Sequence, residues 1–333
     1  MSKSILIGII VVVALAIAFS YFQKPQPPKY TGPVEKIIVG SYTGEYVSLM
    51  YVADEKGYFK DEGIDLEIKP YQGGIFAIPD LATGVIDIAL GNEFAPVVKS
   101  FDTPSLKIIA SIDKTNSYEL IARRDRGINK PADLKGKKIG VPKNTQSEFF
   151  LGTFLAFNNL SLKDVTIINI KPLDLIGAMA SGTIDATLIW PPHSYNIKKE
   201  LGANAISWPG QSGQDTYFVL IGTETLVKTR PQTVERMLRA LVKAEEFVKS
   251  NLQEAQNIVM SQTNTDDSYM KSEWPLNNFS VSLEQAMLLT MEDEARFAIA
   301  NKLTDKTVVP NHLTFIYFDA LEKVKPQAIT IVH

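Results

Sequence analysis

Side chains that could bind or transform a small molecule are concentrated in loops that follow predicted strands. Two of these loops, GNEF at 91–94 and WPPH at 190–193, each come directly after a buried apolar strand. Ligands of open α/β sheets bind outside the carboxyl ends of the strands, near a topological switch point. We therefore expect these loops, together with the segments 41–46, 71–74 and 143–150, to face a binding cleft.

Two of those segments offer backbone groups to a ligand. Thr145 or Ser147 is predicted to cap the helix that begins there, and the free N–H groups of a helix start attract an anion or a carbonyl oxygen. A capping hydroxyl could serve the helix and a ligand together. The segment YQGG at 71–74 predicts a flexible turn, where the chain can approach a ligand closely because glycine has no side chain.

The residue types that most catalytic sites require are scarce. The chain has no cysteine, which excludes disulfides, thiolate metal sites and a cysteine nucleophile. Its histidines are His193, His312 and His333; only His193 follows a cleft loop, and no nucleophile elbow accompanies it as serine chemistry would need. No cluster is spaced for zinc, and Gly73–Gly74 lacks the lysine and hydroxyl residue of a phosphate loop. We expect no catalysis, no cofactor and no metal.

The composition is that of a globular protein of two ordinary domains. The chain has 333 residues, 45% of them hydrophobic, which is enough for a core in each domain. Charged residues make up 21% and the formal net charge is −3, with lysines and glutamates interspersed. Nucleic-acid binders usually carry a basic stripe, so no nucleic-acid partner is expected.

The first 23 residues predict an export or membrane segment. Lys3 precedes an uncharged apolar run from residue 4 to residue 23, which is either a cleaved signal peptide or a membrane anchor, with the anchor favoured by the length of the run. Residues 24–33 are rich in proline and predict an extended spacer. Either interpretation places the rest of the chain outside the cytoplasm.

From residue 34 onward, strand and helix patterns alternate. The order strand, helix, strand, helix, strand predicts a largely parallel sheet with helices on both faces, and the same order begins again near residue 131. A strand and a long amphipathic helix follow residue 215. The C-terminal region is predicted to be mostly helical, with the acidic run Glu292, Asp293 and Glu294 on a solvated face.

The chain also contains one phrase twice. LATGVIDIALGNEFAP at 81–96 is matched by MASGTIDATLIWPPHS at 179–194, which favours two similar lobes facing each other. Gly84 and Gly182 are predicted to end helices in the left-handed conformation. Asp87 and Asp185 are predicted to lie early in their strands, away from the ligand end. The repeated residues are therefore interpreted as framework.

Four segments together indicate a family. YVADEKGYFKDEGIDLEI, DLATGVIDIALG, LKGKKIGVPKNTQSEFF and GAMASGTIDATLIWPP occur in an order and spacing that resembles the nitrate/sulfonate/taurine-type solute-binding proteins of ABC transporters. That family also includes binders of the pyrimidine precursor of thiamine. The resemblance covers residues 34–250 and extends more weakly to the C-terminus.

The resemblance implies a two-lobed periplasmic-binding-protein-like α/β fold of type II. Each lobe would be a mostly parallel sheet flanked by helices, with the ligand in the hinged cleft between them. Two crossing strands would join the lobes, near 118–123 and 217–222. The first lobe would span 34–120 and be completed by helices within 219–333, and the second lobe would span 121–218.

The resemblance also implies which residues contact the ligand. They come from the loop after the first strand, the glycine turn, the loop after the third strand, the helix start of the second lobe and a strand end there. The residues at these positions are Tyr42, Thr43, Gly44, Gln72, Gly73, Gly74, Asn92, Glu93, Asn144, Thr145, Gln146, Ser147 and Trp190.

The charge of the ligand is left open by these loops. Members of the family that hold sulfonates often place an arginine in the cleft, whereas the loops here carry only Lys143 as a cation. They also carry three glutamates that face either the cleft or solvent: Glu45, Glu93 and Glu148. A buried carboxylate facing a sulfonate costs several kcal/mol unless it is paired or protonated. An uncharged or amine-bearing ring stacked on Tyr42 or Trp190 is the alternative.

The predicted function is that of the solute-binding component of an ABC importer. It would trap a nitrate-, sulfonate- or taurine-like solute, or a pyrimidine-like one, and deliver it to a permease and ATPase on separate chains. The module would be a monomer that meets the membrane through its N-terminal segment. The alternatives are a ligand-sensing module, although no signalling or DNA-binding pattern occurs in the sequence, and an enzyme like the pyrimidine synthases, whose cysteine-rich motif has no counterpart here.

Overall fold

A computed structural model describes residues 29–101 and 106–333. The predicted leader at 1–23 and the first part of the spacer lie outside the described residues. Residues 34–333 form one compact unit. Within the described ranges, no helix is both long enough and apolar enough to cross a membrane.

The strands, numbered in chain order, provide the two sheets. Their bounds are β1 Glu35–Tyr42, β2 Ile64–Tyr71, β3 Ile88–Asn92, β4 Leu106–Thr115, β5 Glu119–Arg123, β6 Lys138–Val141, β7 Thr166–Asn169, β8 Ala186–Ile189, β9 Ala205–Pro209, β10 Thr216–Thr223 and β11 Asn277–Ser282.

The helices cover the faces of both sheets. Their bounds are α1 Ser48–Glu55, α2 Tyr58–Asp61, α3 Ile78–Ala82, α4 Phe94–Ser100, α5 Gln146–Phe157, α6 Leu175–Ser181, α7 His193–Leu201, α8 Glu224–Thr229, α9 Pro231–Ser250, α10 Leu252–Thr263, α11 Asp267–Glu273, α12 Gln285–Ala300 and α13 Asp319–Val324. Single 3₁₀ turns at Glu45–Val47 and Gly74–Ala77 follow β1 and β2.

The two sheets correspond over five strands when one order is reversed, and the first sheet has a sixth strand, β11, at its edge. The first runs β11-β4-β10-β3-β1-β2 and the second β7-β6-β8-β5-β9. We name the halves built on them the first lobe and the second lobe. In each sheet three neighbouring strands are parallel, as predicted, but the strands beyond them are antiparallel, so both sheets are mixed. Four of the antiparallel strands, β4, β5, β9 and β10, flank the crossings between the lobes, and β11 adds a further antiparallel strand at the edge of the first sheet.

The crossings lie close to the predicted segments. The chain leaves the first sheet after Thr115 and enters the second at Glu119; it leaves the second after Pro209 and re-enters the first at Thr216. The segments predicted to cross correspond to β5 and β10, the first strands after each connection between the sheets. The lobe boundaries expected at 120/121 and 218/219 fall inside these two strands, a few residues after the connections.

The repeated phrase has the same structural role in both lobes. Asp87 accepts a hydrogen bond from the Ile38 backbone N–H at 2.8 Å, and Asp185 accepts one from the Lys138 N–H at 2.8 Å. Each aspartate precedes its strand and ties it to the neighbouring parallel strand. Gly84 and Gly182 have φ values of 75° and 72°, as a left-handed helix end requires.

Each lobe has its own apolar core, and a few aromatic side chains of the first lobe join the core of the second. These are Tyr42, Tyr46, Phe94 and Phe218. Across the lobes, the ring of Phe94 contacts that of Phe149 in the second lobe, with centroids 6.4 Å apart. The lobes are therefore held face to face by aromatic packing, and the cleft between them is narrow.

Candidate functional site

A cavity lies between the lobes at the carboxyl ends of the parallel strands. It comprises about 430 Å³ of space between protein atoms, counting the part open to solvent. Its aromatic lining is Tyr42, Phe76, Phe94, Tyr118, Trp190 and Phe218. The rest of the lining is Gly73, Gly74, Ile75, Asn92 and Thr145. Both lobes contribute to the walls, as a site that closes on a ligand requires.

The glycine turn is placed by a close backbone approach. The Cα of Gly91, inside β3, lies so near Gly74 that a β-carbon on either residue would collide with the backbone of the other. Two glycines facing each other allow the turn after β2 to pack directly on β3. As a result, the backbone of Gly73 and Gly74 forms one wall of the cavity.

Trp190 is the centre of the aromatic wall in the second lobe. It comes directly after β8, and its ring meets Tyr42 of the first lobe edge to face, with centroids 6.4 Å apart and an interplanar angle of 87°. Tyr118, which lies in the first crossing, packs against it at 5.7 Å. These ring contacts hold Trp190, Tyr42 and Tyr118 in fixed positions around a space that suits a flat apolar group.

His193 supports this wall from behind and does not line the cavity. Its Nε2 lies 3.3 Å from the Tyr42 hydroxyl, and its ring contacts Trp190 at 6.0 Å between centroids. Burial lowers the pKa of His193 to about 4, because a charged imidazole would lose its hydration. The histidine is therefore neutral at physiological pH and holds the Tyr42 ring in position.

The start of α5 differs from the predicted cap. Thr145 precedes the helix, but its hydroxyl donates to the Pro142 carbonyl at 2.6 Å instead of accepting from a helix N–H. Asn144 has a φ of 58°, and its N–H donates to Glu148 Oε2 at 2.9 Å. The expectation of a Thr145 or Ser147 side-chain cap is wrong, because the preceding loop satisfies the hydroxyl of Thr145 and Ser147 makes no cap bond.

Gln146, the first residue of α5, reaches across the cleft. Its Nε2 donates to Glu93 Oε1 at 3.1 Å and to Glu294 Oε1 at 2.7 Å, and its Oε1 accepts from Asn92 Nδ2 at 3.0 Å. Glu93 and Glu294 are both fully buried. The expectation that Glu294 lies on a solvated face is therefore wrong: its side chain turns inward, toward Gln146.

The structure brings about half of the predicted ligand residues to the cavity. Those in its lining are Tyr42, Gly73, Gly74, Asn92, Thr145 and Trp190. Thr43 and Gln72 line a neighbouring groove at the mouth. The remaining ones lie outside both linings: Gly44, Glu93, Asn144, Gln146 and Ser147.

None of the three cleft-loop glutamates lies in the lining or on a solvated face. Glu45, Glu93 and Glu148 are all buried. Glu45 accepts a hydrogen bond from the Tyr269 hydroxyl at 2.5 Å, and burial raises the pKa of Glu45 to about 7. The cavity is therefore bounded by uncharged side chains, with carboxyl groups one layer behind it.

Five lining residues were not among the predicted ligand contacts: Ile75, Phe76, Phe94, Tyr118 and Phe218. Phe94 belongs to the loop 91–94 that was expected to face the cleft, and Phe76 lies two residues after a predicted contact, so aromatic residues near strand ends were an available signal. Tyr118 and Phe218 lie at the crossings, and only the pairing of β10 with β3 brings Phe218 beside Asn92. The pairing of β10 with β3 cannot be predicted from local sequence, because the two strands are far apart in the chain.

The comparison with known families identifies the chain. The sequence pattern described as NMT1/THI5 like matches residues 45–255, which include both copies of the repeated phrase and most of the cavity lining. The chain belongs to the NMT1/THI5-like family. The predicted resemblance to solute-binding proteins of this type is thereby confirmed.

Three curated relatives are 27–29% identical to this NMT1/THI5-like chain. A provisionally named binding protein of Brucella abortus is 29% identical over 78% of this chain and 80% of its own. A protein of Bacillus subtilis, provisionally named for aliphatic sulfonates, is 28% identical over 79% and 81%. The formylaminopyrimidine-binding protein of Halalkalibacterium halodurans is 27% identical over 70% and 71%.

Solved structures confirm the predicted fold. The alkanesulfonate-binding protein SsuA of Xanthomonas axonopodis pv. citri, solved with MOPS bound, superposes with a TM-score of 0.75 at 17% identity, covering 86% of this chain and 99% of its own. The desulfurization enzyme DSZB superposes at 0.63 with 15% identity, covering 88% and 99%. The fold is thus shared by binding proteins and by an enzyme.

Proposed function

We propose that this NMT1/THI5-like protein is the extracytoplasmic solute-binding component of an ABC importer. It would trap a small molecule between its lobes and deliver it to a membrane permease with an ATPase on other chains. The names of its curated relatives, which are binding proteins, support this assignment. The observation that carries it is the cavity, whose walls come from both lobes and from the ends of parallel strands.

The ligand contacts follow from the cavity lining. We propose that Tyr42, Asn92, Thr145 and Trp190 contact the ligand, together with the backbone of the Gly73–Gly74 turn. Hinged closure would bring the residues of the second lobe against a ligand first held by the first lobe. A ligand shifts the balance of open and closed forms only by binding the closed form more tightly, so contacts from both lobes are needed.

The ligand is proposed to be a flat, uncharged or amine-bearing ring. No lysine or arginine occurs among the lining residues, and carboxyl groups lie directly behind them. An anion placed there would lose its hydration without gaining a cation. Aromatic faces and the amide of Asn92 suit a heterocycle with polar edges. The relative named for formylaminopyrimidine supports this class, whereas those named for sulfonates favour the anionic alternative.

We also propose that the protein releases its ligand chemically unchanged. The side-chain groups that face the cavity are aromatic rings, one amide and a hydroxyl already donating to Pro142. His193, the nearest base, is engaged with Tyr42. Mass spectrometry of ligand recovered after prolonged incubation checks this; a modified product would favour an enzyme.

The cellular arrangement is proposed from the N-terminal sequence. The apolar run at 4–23 would export the module or anchor it at the outer face of the membrane, and the module would act as a monomer. Membrane fractionation of the full chain and sedimentation of the detergent-solubilised protein test the two statements separately.

A thermal-shift screen tests the binding function. The panel contains nitrate, taurine, an alkanesulfonate, an aminopyrimidine and an aromatic carboxylate. A ligand at about 100 times its Kd adds roughly 2.7 kcal/mol to the stability of the folded protein, which moves the melting midpoint by several degrees. A shift with the aminopyrimidine alone supports the proposed ligand class. A shift with the sulfonate alone would overturn the ligand class and keep the binding function.

A further inference from the structure

The Gln146 side chain uses its whole hydrogen-bonding capacity on the opposite lobe. Its amide nitrogen donates to Glu93 Oε1 and Glu294 Oε1, and its amide oxygen accepts from Asn92 Nδ2 and, at 3.0 Å, from the Thr216 hydroxyl. All four partners belong to the first lobe, whereas Gln146 begins α5 in the second. An amide has two donors and two good acceptor positions, and here each is occupied.

One of the two residues that donate to the Gln146 amide oxygen also lines the cavity. Asn92 lines the cavity and donates through its amide nitrogen both to Gln146 Oε1 and, at 3.2 Å, to the Tyr118 hydroxyl. A ligand that contacts Asn92 therefore touches a residue that already bridges the lobes. The cluster of Gln146, Glu93 and Glu294 lies directly behind the proposed ligand site.

The amide nitrogen of Gln146 lies between two carboxyl groups, those of Glu93 and Glu294. Glu93 Oε2 also accepts from the Tyr217 N–H at 3.0 Å, while Glu294 Oε2 is buried without a hydrogen-bond partner. Among the described residues, neither glutamate forms an ion pair with a lysine, arginine or histidine. Two ionised carboxylates this close, both shielded from water, would repel each other strongly.

The groups around Glu93 and Glu294 favour the protonated, neutral form of the two carboxyl groups. Asp215 faces Glu93, Asp293 is next to Glu294, and the hydroxyls of Tyr118 and Tyr217 are the other titratable groups nearby. Lys114, the cation that interacts with Asp215, is paired with Glu284 at 3.0 Å. Burial raises the pKa of Glu93 to about 8, and burial and the charge of Glu93 raise that of Glu294 well above its ordinary value.

We propose that Glu93, Gln146 and Glu294 form an interlobe latch whose closing takes up a proton, so that the lobes close more readily in acid than in alkali. When the lobes separate, Gln146 leaves and water reaches both carboxyl groups. Their pKa values then fall toward the ordinary value for glutamate, and they ionise in the open form. The latch rests on the proposed function only in that closing would capture the ligand.

The direction of the pH effect follows from linkage. The closed form holds its proton up to about pH 8, the raised pKa of Glu93, whereas the open form loses it near the ordinary pKa of about 4.5. Between these values, each pH unit lowers the closed-to-open ratio by up to about tenfold for each carboxyl that is protonated only in the closed form. Below this window the ratio is constant, and it reaches its lowest value once both carboxyls are ionised in the closed form as well.

The test measures lobe separation without any ligand. Because the natural chain has no cysteine, spin labels can be attached at Gln72→Cys and Lys171→Cys, two exposed positions on opposite sides of the cleft mouth. Pulsed electron resonance then gives the distance distribution at pH 6, 7, 8 and 9. We expect a short distance at pH 6 and a shift of at least tenfold in population toward a longer one by pH 9.

Variants assign the effect to the latch. Glu93→Gln with Glu294→Gln replaces both acids by neutral groups of nearly the same size, so the distance distribution should no longer change with pH. Gln146→Leu removes the bridging amide and should favour the open form even at pH 6. Glu292→Gln is the matched control, because Glu292 is an exposed acid on the same helix that pairs with Arg296; it should respond to pH as the natural protein does.

Two results would overturn the latch. One is a distance distribution in the natural protein that does not change from pH 6 to pH 9. The other is a pH response that persists in the double glutamine variant, which would assign the titration to other buried acids of the first lobe whose pKa is raised, such as Glu45, Asp113 or Glu273. Because no ligand is used, either result leaves the thermal-shift test of the binding function unaffected.

Discussion

The two copies of the repeated phrase are alike where their strands begin and different where they end. Asp87 and Asp185 make the same hydrogen bond to a neighbouring strand, at the same distance. The last identical pair is Leu90 and Leu188, and two residues later Asn92 in the first lobe stands at the position of Trp190 in the second. The likeness is thus confined to residues that hold the sheets together.

The differing ends are the ones that meet in the cavity. Asn92 and Trp190 both line it, one offering an amide and the other an indole ring. After them, Glu93 takes part in the interlobe cluster, whereas Pro191 and Pro192 turn the chain toward His193 and its contact with Tyr42. A duplicated framework therefore carries two different binding surfaces, and the comparison separates residues needed for folding from those proposed to bind.

The largest effect is expected at the strand ends. Trp190→Ala removes the ring that meets both Tyr42 and Tyr118, and we expect the affinity for the ligand found by thermal shift to fall by about 2 kcal/mol or more, roughly 30-fold. Asn92→Ala should also weaken binding, because it removes the amide that lines the cavity together with its hydrogen bonds to Gln146 and Tyr118, and each neutral hydrogen bond contributes about 1 kcal/mol. Titration calorimetry measures both.

The control for the tryptophan is another tryptophan of the same lobe. Trp208 lies on β9, outside the cavity lining, so Trp208→Ala should leave the affinity unchanged. Equal losses for Trp190 and Trp208 would mean that binding responds to damage in the second lobe as a whole. In that case the difference between strand ends would carry no information about the ligand site.

The next effect is expected at the strand starts, and on stability instead of binding. Asp87→Ala and Asp185→Ala each remove a charged acceptor from a backbone N–H, which costs about 1.5–3 kcal/mol of unfolding free energy. Asp87 should cost more, because Arg230 also donates to it at 2.9 Å, whereas Arg126 lies 3.8 Å from Asp185. Denaturant titration of the two variants gives the comparison.

The ligand affinity of the aspartate variants should remain that of the natural protein wherever they are folded. Both side chains lie at the opposite end of their strands from the cavity. Asp87→Asn and Asp185→Asn keep a carbonyl acceptor and should recover part of the stability. A loss of affinity in a fully folded aspartate variant would contradict the division of the phrase into framework and binding ends.

The sequence predicted the framework well because local patterns determine it. Alternating strands and helices, left-handed glycines and the strand-start aspartates are all set by residues near one another in the chain. The helix expected to begin within 143–150 is present at Gln146–Phe157. The strands β9 and β11 were not predicted, because they are short edge strands with weak patterns and depend on partners distant in sequence.

The site was predicted less completely because it depends on long-range pairing. Phe218 reaches the cavity only when β10 pairs with β3, and Glu294 is buried only because α12 presents it to Gln146 of the other lobe. Three acids in a row on a helix predict a solvated face, and two of them, Glu292 and Asp293, do lie on one with Arg296. Helical geometry turns the third inward, which a count of charges does not reveal.

The smallest effect is expected at the helix ends of the phrase. Gly84→Ala and Gly182→Ala force a β-carbon into the left-handed region, at a cost of roughly 1 kcal/mol each. Gly182 should cost slightly more, because the Arg126 guanidinium must move aside and give up its hydrogen bond to the Gly182 carbonyl, while the space around Gly84 is open. Gly177→Ala, within α6 and also in open space, should instead stabilise the protein by roughly 0.5–1 kcal/mol, since alanine favours a helix. Thermal unfolding of the three variants orders them; a Gly84 variant as unstable as the Gly182 variant would mean that backbone conformation alone sets the cost in both lobes.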